Sequence, residues 1–374
     1  MTPDELLGLR DELGRLDDEL VAIVARRSDC VKRIAEAKSR ERRPAFDRGR
    51  EAEHLETMCA RAEAQGVSRG LVRDLFGAIF ASSRAEQRRM LGENAPRFRI
   101  GILGATSGMG AFLARVFANA GYEVDAMGLG VGATATEVAS RNDVVFLAVP
   151  IHVTCEVARE IGPHMRDGAC LVDVTSLKRA PLAAMLEATR ETVDVVGSHP
   201  MFGPQGDDMD RQKVVLCRGR GTSGFERVKA LYELFGAETV EASAEEHDAQ
   251  MALIQVLVHE KTMVLGSTLA RLGADLGRSR EMASPIYRAE LAMIGRLFSQ
   301  GAELYADILT SNDDASRVVD AFGQEAALFS RAVRERDREA IVTRFREVAG
   351  YLGEFSVWAR KESNAILADL VRHG

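Results

Sequence analysis

Between Thr2 and Arg43 the chain gives a helix no place to stop. Thr2 is a hydroxyl N-cap, Pro3 suits a first turn, Glu5 stands at the capping-box position, and no further proline comes before Pro44. Apolar residues recur at helical spacing through Leu6, Leu9, Leu13, Leu16, Leu20, Ile23, Val24, Val31 and Ile34. At 1.5 Å per residue the predicted helix is roughly 50 Å long. A domain of under about a hundred residues cannot cover that length alone, so the pattern predicts packing against a second chain.

Cations interrupt the apolar stripe. Leu13, Leu20, Arg27 and Ile34 form one seven-residue series, and Arg10, Val24, Val31 and Lys38 lie on an adjacent one. Cations on a packed face are unfavourable unless paired, and few acids share this stripe, which points to a bound polyanion. Arg27 and Lys38 have nearly the same angular position about 16 Å apart along the axis, so long side chains can close on one small ligand. Arg10 is about 42 Å from Lys38 by the same rise. To serve that pocket it must come from a partner subunit. A second helix carries Asp47, Arg50 and Glu51 on one face, and a third carries Ser83 and Gln87 four residues apart. Taken singly, each of these is more often a solvated surface residue.

As a set, Arg10, Arg27, Lys38, Asp47, Arg50, Glu51, Ser83 and Gln87 resemble the active-site spacing of the all-helical chorismate mutases, small intertwined dimers with three helices per chain. The likeness runs from Met1 to about Met90. It implies that Arg27 and a partner's Arg10 grip two substrate carboxylates with Arg50 in support, that Asp47 and Glu51 hold a ring hydroxyl, and that Lys38 and Gln87 donate to the ether oxygen.

A chain of 374 residues is too long for one core. The polar, proline-bearing stretch Gly92 to Phe98 is the best boundary. Three domains are expected, at residues 1–91, 97–244 and 245–374. The second opens with a strand at Arg99 to Leu103, then the turn Gly104, Ala105, Thr106, Ser107, Gly108, Met109, Gly110 and an apolar helix. That order suits a pyrophosphate resting on a helix amino terminus. With GxGxxG ending at Gly110, Ala105 and Ser107 replace two glycines. After the second strand, Tyr122 to Met127, the place of the ribose-binding acid falls on Gly128, with Asp125 earlier and no adjacent arginine, so a nicotinamide dinucleotide is expected, NAD with NADP left open. Further strands are expected at Val144 to Val149, Cys170 to Val174, Val193 to Val196 and Val214 to Cys217, in a parallel sheet. AVPIHV, with Val149, Pro150 and His152, and VDVTSLK, with Ser176 and Lys178, end on the presumed ligand edge. Ser176 can equally cap a helix.

His199 lies in GSHPMFGP, just past the fifth strand, where a histidine near neutrality gives or accepts a proton. From about Glu245 onward the pattern is helical, at Glu245 to Arg271, Arg280 to Phe298, Ser316 to Arg331 and Ala340 to Leu370, with Trp358 expected in the core. VDVTSLK, GSHPMFGP, EEHDAQMALIQ and SPIYRAELAMIGRLF together resemble prephenate dehydrogenase. Mutase first and dehydrogenase second matches the bifunctional enzymes of tyrosine synthesis, across nearly the whole chain. The resemblance implies a multidomain fold: an all-α chorismate mutase domain, an α/β Rossmann-like dinucleotide domain and an all-α C-terminal dimerisation domain. It further implies that His199 takes the proton of the prephenate hydroxyl, that Ser176 orients that hydroxyl and the nicotinamide, that Arg296 binds a carboxylate with His259 lining the same pocket, and that L-tyrosine is a feedback inhibitor of a homodimer.

A formal charge of −7 argues against a general nucleic-acid binder. The five cysteines are scattered without a CxxC pair, which favours free thiols and no metal site. The amino terminus is charged where a signal peptide is apolar, and Val144 to Val149 is too short to span a membrane. A cytoplasmic enzyme acting on chorismate and prephenate is the leading expectation. The alternatives are a relative that uses arogenate or keeps one activity, and a non-catalytic regulator that binds an aromatic metabolite.

Overall fold

The computed structural model describes residues 3–41, 48–93, 97–128, 133–206 and 208–372. Three helices come first: α1 (Pro3–Glu41), α2 (Arg48–Glu63) and α3 (Arg69–Glu93). Val31, Ala35, Cys59, Val72 and Phe80 form their buried contacts. With 39 residues, α1 outruns α2 and α3, of 16 and 25 residues. Its amino-terminal half consequently leaves Leu6, Leu9, Leu13, Leu16, Leu20 and Ile23 exposed in the single chain.

An α/β segment follows in the order β1 (Ile100–Leu103), α4 (Gly108–Asn119), β2 (Val124–Met127), α5 (Ala135–Arg141), β3 (Val144–Leu147), α6 (Ile151–Ile161), β4 (Cys170–Asp173), α7 (Arg179–Ala188), β5 (Asp194–Pro200), β6 (Lys213–Arg220), α8 (Thr222–Leu234) and β7 (Glu238–Ala242). The seven strands lie in the order β2-β1-β3-β4-β5-β6-β7. Phe112, Phe117, Phe146, Phe225 and Tyr232 anchor the core that joins the sheet to its helices.

Two details differ from the expected sheet. β6 pairs antiparallel to β5 and parallel to β7, so the sheet is mixed, and β7 had no sequence signal of its own. β5 also runs on to Pro200. Its last pairing with β4 is Gly197 with Asp173, after which Ser198, His199 and Pro200 pair only with β6. His199 is therefore part of the strand and not of the loop, carried past the carboxyl end of its parallel neighbour by the antiparallel ladder.

The remainder is helical: α9 (Ala244–Met251), a π-helical turn (Ala252–Leu257), α10 (Val258–Arg271), α11 (Leu276–Glu281), α12 (Pro285–Phe298), α13 (Ala302–Thr310), α14 (Ala315–Glu335), α15 (Arg338–Leu352) and α16 (Phe355–Arg372). Two stretches expected as single helices are broken. Pro285 starts α12 at its N1 position after the Ser284 cap, and Gly353 at φ 47° ends α15. Trp358 does not enter a core: it is 56% exposed in the single chain and rests against Phe355 at 5.0 Å. No helix among the described residues is long and apolar enough to cross a membrane.

By contacts the chain forms two compact units, Met1–Val149 with Thr154–Thr175 and Pro181–Ala242, and Pro150–Val153 with Ser176–Ala180 and Ser243–Gly374.

Candidate functional site

In the first three helices, the side chains singled out by spacing converge in part. Arg27, half-buried on α1, donates from Nη1 to the Ser83 hydroxyl of α3 and lies over the Phe80 ring, 5.4 Å from its centroid. Burial lowers the pKa of its guanidinium, while the Glu51 carboxylate pulls the other way. Gln87, one turn beyond Ser83, has a buried Oε1 with no hydrogen-bond partner among the described residues. A buried amide without a partner is a group that a ligand or a water would satisfy, and rotating the amide presents its NH2 instead. Lys38 is half-buried, Arg50 is exposed, and Arg10 is exposed on the uncovered part of α1. Asp47 lies outside the described residues.

Spacing missed Arg84, between Ser83 and Gln87, which is 6% exposed. Its guanidinium bonds Glu51 Oε2 at 2.7 Å and Asp210 at 2.8 to 3.1 Å. Burial pulls its pKa down, and the two carboxylates outweigh that and leave it raised. Its place between two candidate positions was the only available hint.

In the α/β segment, strand order reverses between β1 and β3, and the crevice beyond those strand ends is where such sheets bind ligands. The turn after β1 occupies it. Gly104 has φ 91°, and a Cβ there would lie 2.3 Å from the Ala148 carbonyl oxygen; one on Gly110 would lie 2.2 Å from the Gly104 carbonyl oxygen. These two glycines let β1, β3 and α4 close up. Gly108, at φ 56°, has open space where a Cβ would go. Ser107 is the N-cap of α4, but its side chain does not cap, so the first amides of the helix stay available to a phosphate. Ala105 and Met109 pack on the core and can offer only backbone. Val149 ends this unit, and Pro150 opens the short segment before α6 in the other. The turn thus fits a dinucleotide's pyrophosphate despite its altered fingerprint.

The ribose end is different. Asp125 is committed to Arg141 and Asn142, and the Arg141 hydrogen bond holds its carboxyl below the usual range. At Gly128, a Cβ would come within 1.9 Å of Thr106 Cγ2, so the place of the acid is filled from the turn itself.

His199, 4% exposed, sits two residues past the end of β4. Its neighbour Ser198 donates to the Asp173 carbonyl oxygen at 2.7 Å and meets the Tyr232 hydroxyl of α8 at 3.0 Å. Because side chains alternate along a strand, Ser198 on the α8 face fixes His199 on the opposite one.

In the helical unit, Asp248 accepts the backbone amides of Lys178 at 2.8 Å and Arg179 at 3.0 Å, and meets His247 Nδ1 at 2.7 Å. Burial would raise its carboxyl, but these hydrogen bonds outweigh it and leave it lowered. Asp248, and not Ser176, thus caps α7, which leaves the half-buried Ser176 hydroxyl available to a ligand. His247 serves this anchor, and His152 bonds Asp307 at 2.8 Å.

His259 meets the Tyr305 ring edge-on at 4.9 Å. Burial raises the Tyr305 hydroxyl, opposed by the positive charge of Arg296. Burial also lowers the pKa of His259. The folded state therefore binds this proton more weakly than the unfolded chain does. Its stability contribution is fully present above about pH 6.5 and is lost as pH falls through the lower folded value. Thermal midpoints measured from pH 7.5 down to 5 should fall less steeply in His259→Gln than in the parent; parallel curves would contradict the burial of a neutral ring.

Among the described residues no group of three metal-ligating side chains occurs, and the five cysteines are free.

Three family models match consecutive parts of the chain: chorismate mutase type II over residues 9–88, the nucleotide-binding domain of prephenate dehydrogenase over 110–241, and its dimerization domain over 243–347. The T-protein of Haemophilus influenzae is 34% identical over 369 residues, covering 97% of both chains, and that of Enterobacter agglomerans is 34% identical with the same coverage. A prephenate dehydrogenase from A. aeolicus, solved with hydroxyphenyl propionate and NAD+, superposes with a TM-score of 0.55 at 20% identity, over 68% of this chain and 96% of that one.

Proposed function

We propose a two-step reaction for this chain, which belongs to the T-protein family of bifunctional chorismate mutase/prephenate dehydrogenases. Chorismate is rearranged to prephenate, and prephenate is oxidatively decarboxylated to 4-hydroxyphenylpyruvate with NAD, in tyrosine biosynthesis. The observation that carries the reading is that one chain matches a mutase model and two dehydrogenase models in succession and aligns with T-proteins over 97% of both lengths. We assign the mutase to residues 1–91, the nucleotide-binding domain to 97–244 and the dimerisation domain to 245–374.

The first step needs no acid, base or nucleophile. It needs the substrate held in its chair-like conformer and donors aimed at the oxygen that gains charge as its bond to carbon breaks. Arg27, steered by Ser83, grips one carboxylate, and Arg10 of the partner subunit grips the other, with Arg50 in support. Asp47 and Glu51 take the ring hydroxyl, and Lys38 and Gln87 donate to the ether oxygen. Burying the exposed apolar side chains of α1 in a homodimer would release about 1.5–3 kcal/mol for each one fully covered, enough together to offset much of an association cost of about 4–15 kcal/mol.

In the second step, a nicotinamide dinucleotide held at the turn Gly104 to Gly110 would supply the hydride acceptor for the ring carbon that bears the hydroxyl. His199 accepts the hydroxyl proton, so the C–O bond becomes a carbonyl. Ser176 orients that hydroxyl, Arg296 holds a substrate carboxylate with a bidentate fork, and His259 lines its surroundings. The ring-to-carboxylate bond then breaks, carbon dioxide leaves, and its electron pair aromatises the ring. The enzyme works in the cytoplasm, with L-tyrosine as feedback inhibitor.

Purified protein given chorismate and NAD should produce the ultraviolet absorbance of reduced nicotinamide, which requires both activities. Signal from prephenate alone would remove the mutase. Signal from arogenate but not prephenate would overturn the substrate, and calorimetric binding of an aromatic metabolite without turnover would favour a regulator.

A further inference from the structure

We infer that Asp210 and Arg211, in the nucleotide-binding domain, are positioning residues for the mutase reaction, acting on Glu51 directly and through Arg84. The inference rests on the reading of Glu51 as the partner of the chorismate ring hydroxyl.

The contacts form a short line. Arg84 Nε donates to both oxygens of Asp210, at 3.1 and 2.9 Å, and Nη1 donates to Glu51 Oε2 at 2.7 Å. Arg211 Nη2 reaches the same Oε2 at 3.4 Å. Both bonds to Glu51 fall on one oxygen. Among the described residues Oε1 accepts none, which leaves it for a ligand's hydroxyl. The Glu51 charge also acts on Arg27, supporting its charged form against burial.

The turn that supplies Asp210 and Arg211 is rigidly placed. Met209 is wholly buried, with its amide on the Phe235 carbonyl; the Arg211 amide donates to Gly236 at 3.0 Å and the Gln212 amide to Met209 at 2.9 Å. Arg211 holds φ at 59°, one of two non-glycine residues in the left-handed region among those described. A side chain kept where glycine would be easier marks a position that something else over-determines.

A buried guanidinium needs its charge answered. With Asp210 present, Arg84 divides itself between two acids and takes one oxygen of Glu51. Without Asp210, its fork is free to take both Glu51 oxygens in a bidentate grip, and the ring hydroxyl loses its acceptor. Three residues of α3, Ser83, Arg84 and Gln87, then act on the mutase reaction, and one of them is set from the dehydrogenase side of the chain.

Full-length Asp210→Asn is nearly isosteric. It should lower mutase kcat/KM about tenfold, as expected of a lost charged hydrogen bond, chiefly through KM, because the ring hydroxyl is held before and during the rearrangement. Dehydrogenase rates with prephenate, measured well below the thermal midpoint, should stay put, and Asp210→Glu should recover most of the mutase loss. Arg211→Gly, which suits the backbone, should show a smaller loss of the same kind. Unchanged mutase kinetics in Asp210→Asn beside an impaired Glu51→Gln would overturn the inference and leave Glu51 its role. Equal loss of both activities would make Asp210 structural only. A fully active Glu51→Gln would remove the assignment of Glu51 and this inference with it.

Discussion

Replacing His199 by asparagine is expected to cut prephenate dehydrogenase turnover by about 10²- to 10⁴-fold, the usual cost of losing a general base, and to leave the mutase untouched. Asparagine can occupy the strand position and hydrogen-bond, but it cannot take a proton near neutrality. The backbone of His199 is held by its pairing opposite Val215 on β6 and by the Ser198 bonds to Asp173 and Tyr232. None of these depends on the imidazole, so the fold should survive. Steady-state rates from prephenate, compared with mutase rates from chorismate on the same preparation, make the test. The acid limb of the dehydrogenase rate profile should vanish together with the lost turnover. Equal loss of both activities would mean that the substitution damaged the fold, and near-normal turnover would take His199 out of the proton path.

Lys38→Ala should do the reverse, lowering mutase kcat by about 10²- to 10³-fold, the range seen when a donor to a developing oxyanion is removed. The ether oxygen of chorismate gains charge only as its bond to carbon lengthens. A cation aimed at it therefore stabilises the transition state more than the bound substrate, and the loss should fall on kcat more than on KM. Dehydrogenase activity from added prephenate should be unaffected. A mutase kcat within about threefold of the parent would refute this role of Lys38.

Much of the mutase segment was legible because a helix makes spacing into geometry. The seven-residue series on α1 put Arg27 on the apolar stripe, and the interval of four put Ser83 and Gln87 on one face of α3. Arg84 escaped because the same logic has no rule for a partner 126 residues away: Asp210 comes within reach only through the fold. In the glycine turn, the pattern of strand, glycines and apolar helix located the start of α4 at Gly108 in spite of two substitutions. It could not say that Thr106 fills the space beside Gly128, a contact between residues 22 apart that β1 and β2 bring together as neighbours.

The helical unit shows the same limit. EEHDAQ marks a helix start, and Ser243 does cap it, yet nothing local reveals that Asp248 will accept the amides that open α7. Nor does the pattern of Ala252 to Leu257 announce a π-helical turn, which widens one turn between the His247 anchor and His259 and so resets the face on which the latter stands. Helical breaks at Pro285 and Gly353 had local signals that the hydrophobic period overrode.

By itself the sequence determined the elements whose cause is local: the length of α1, the glycine turn of β1 and α4, and the chemistry available at each candidate position. Tertiary structure alone decided which charges meet and which strand carries His199 beyond its parallel neighbour. Hydrogen bonds and ion pairs act over about 3 Å, and only a folded chain brings Arg84 and Asp210, or Asp248 and the start of α7, to that distance.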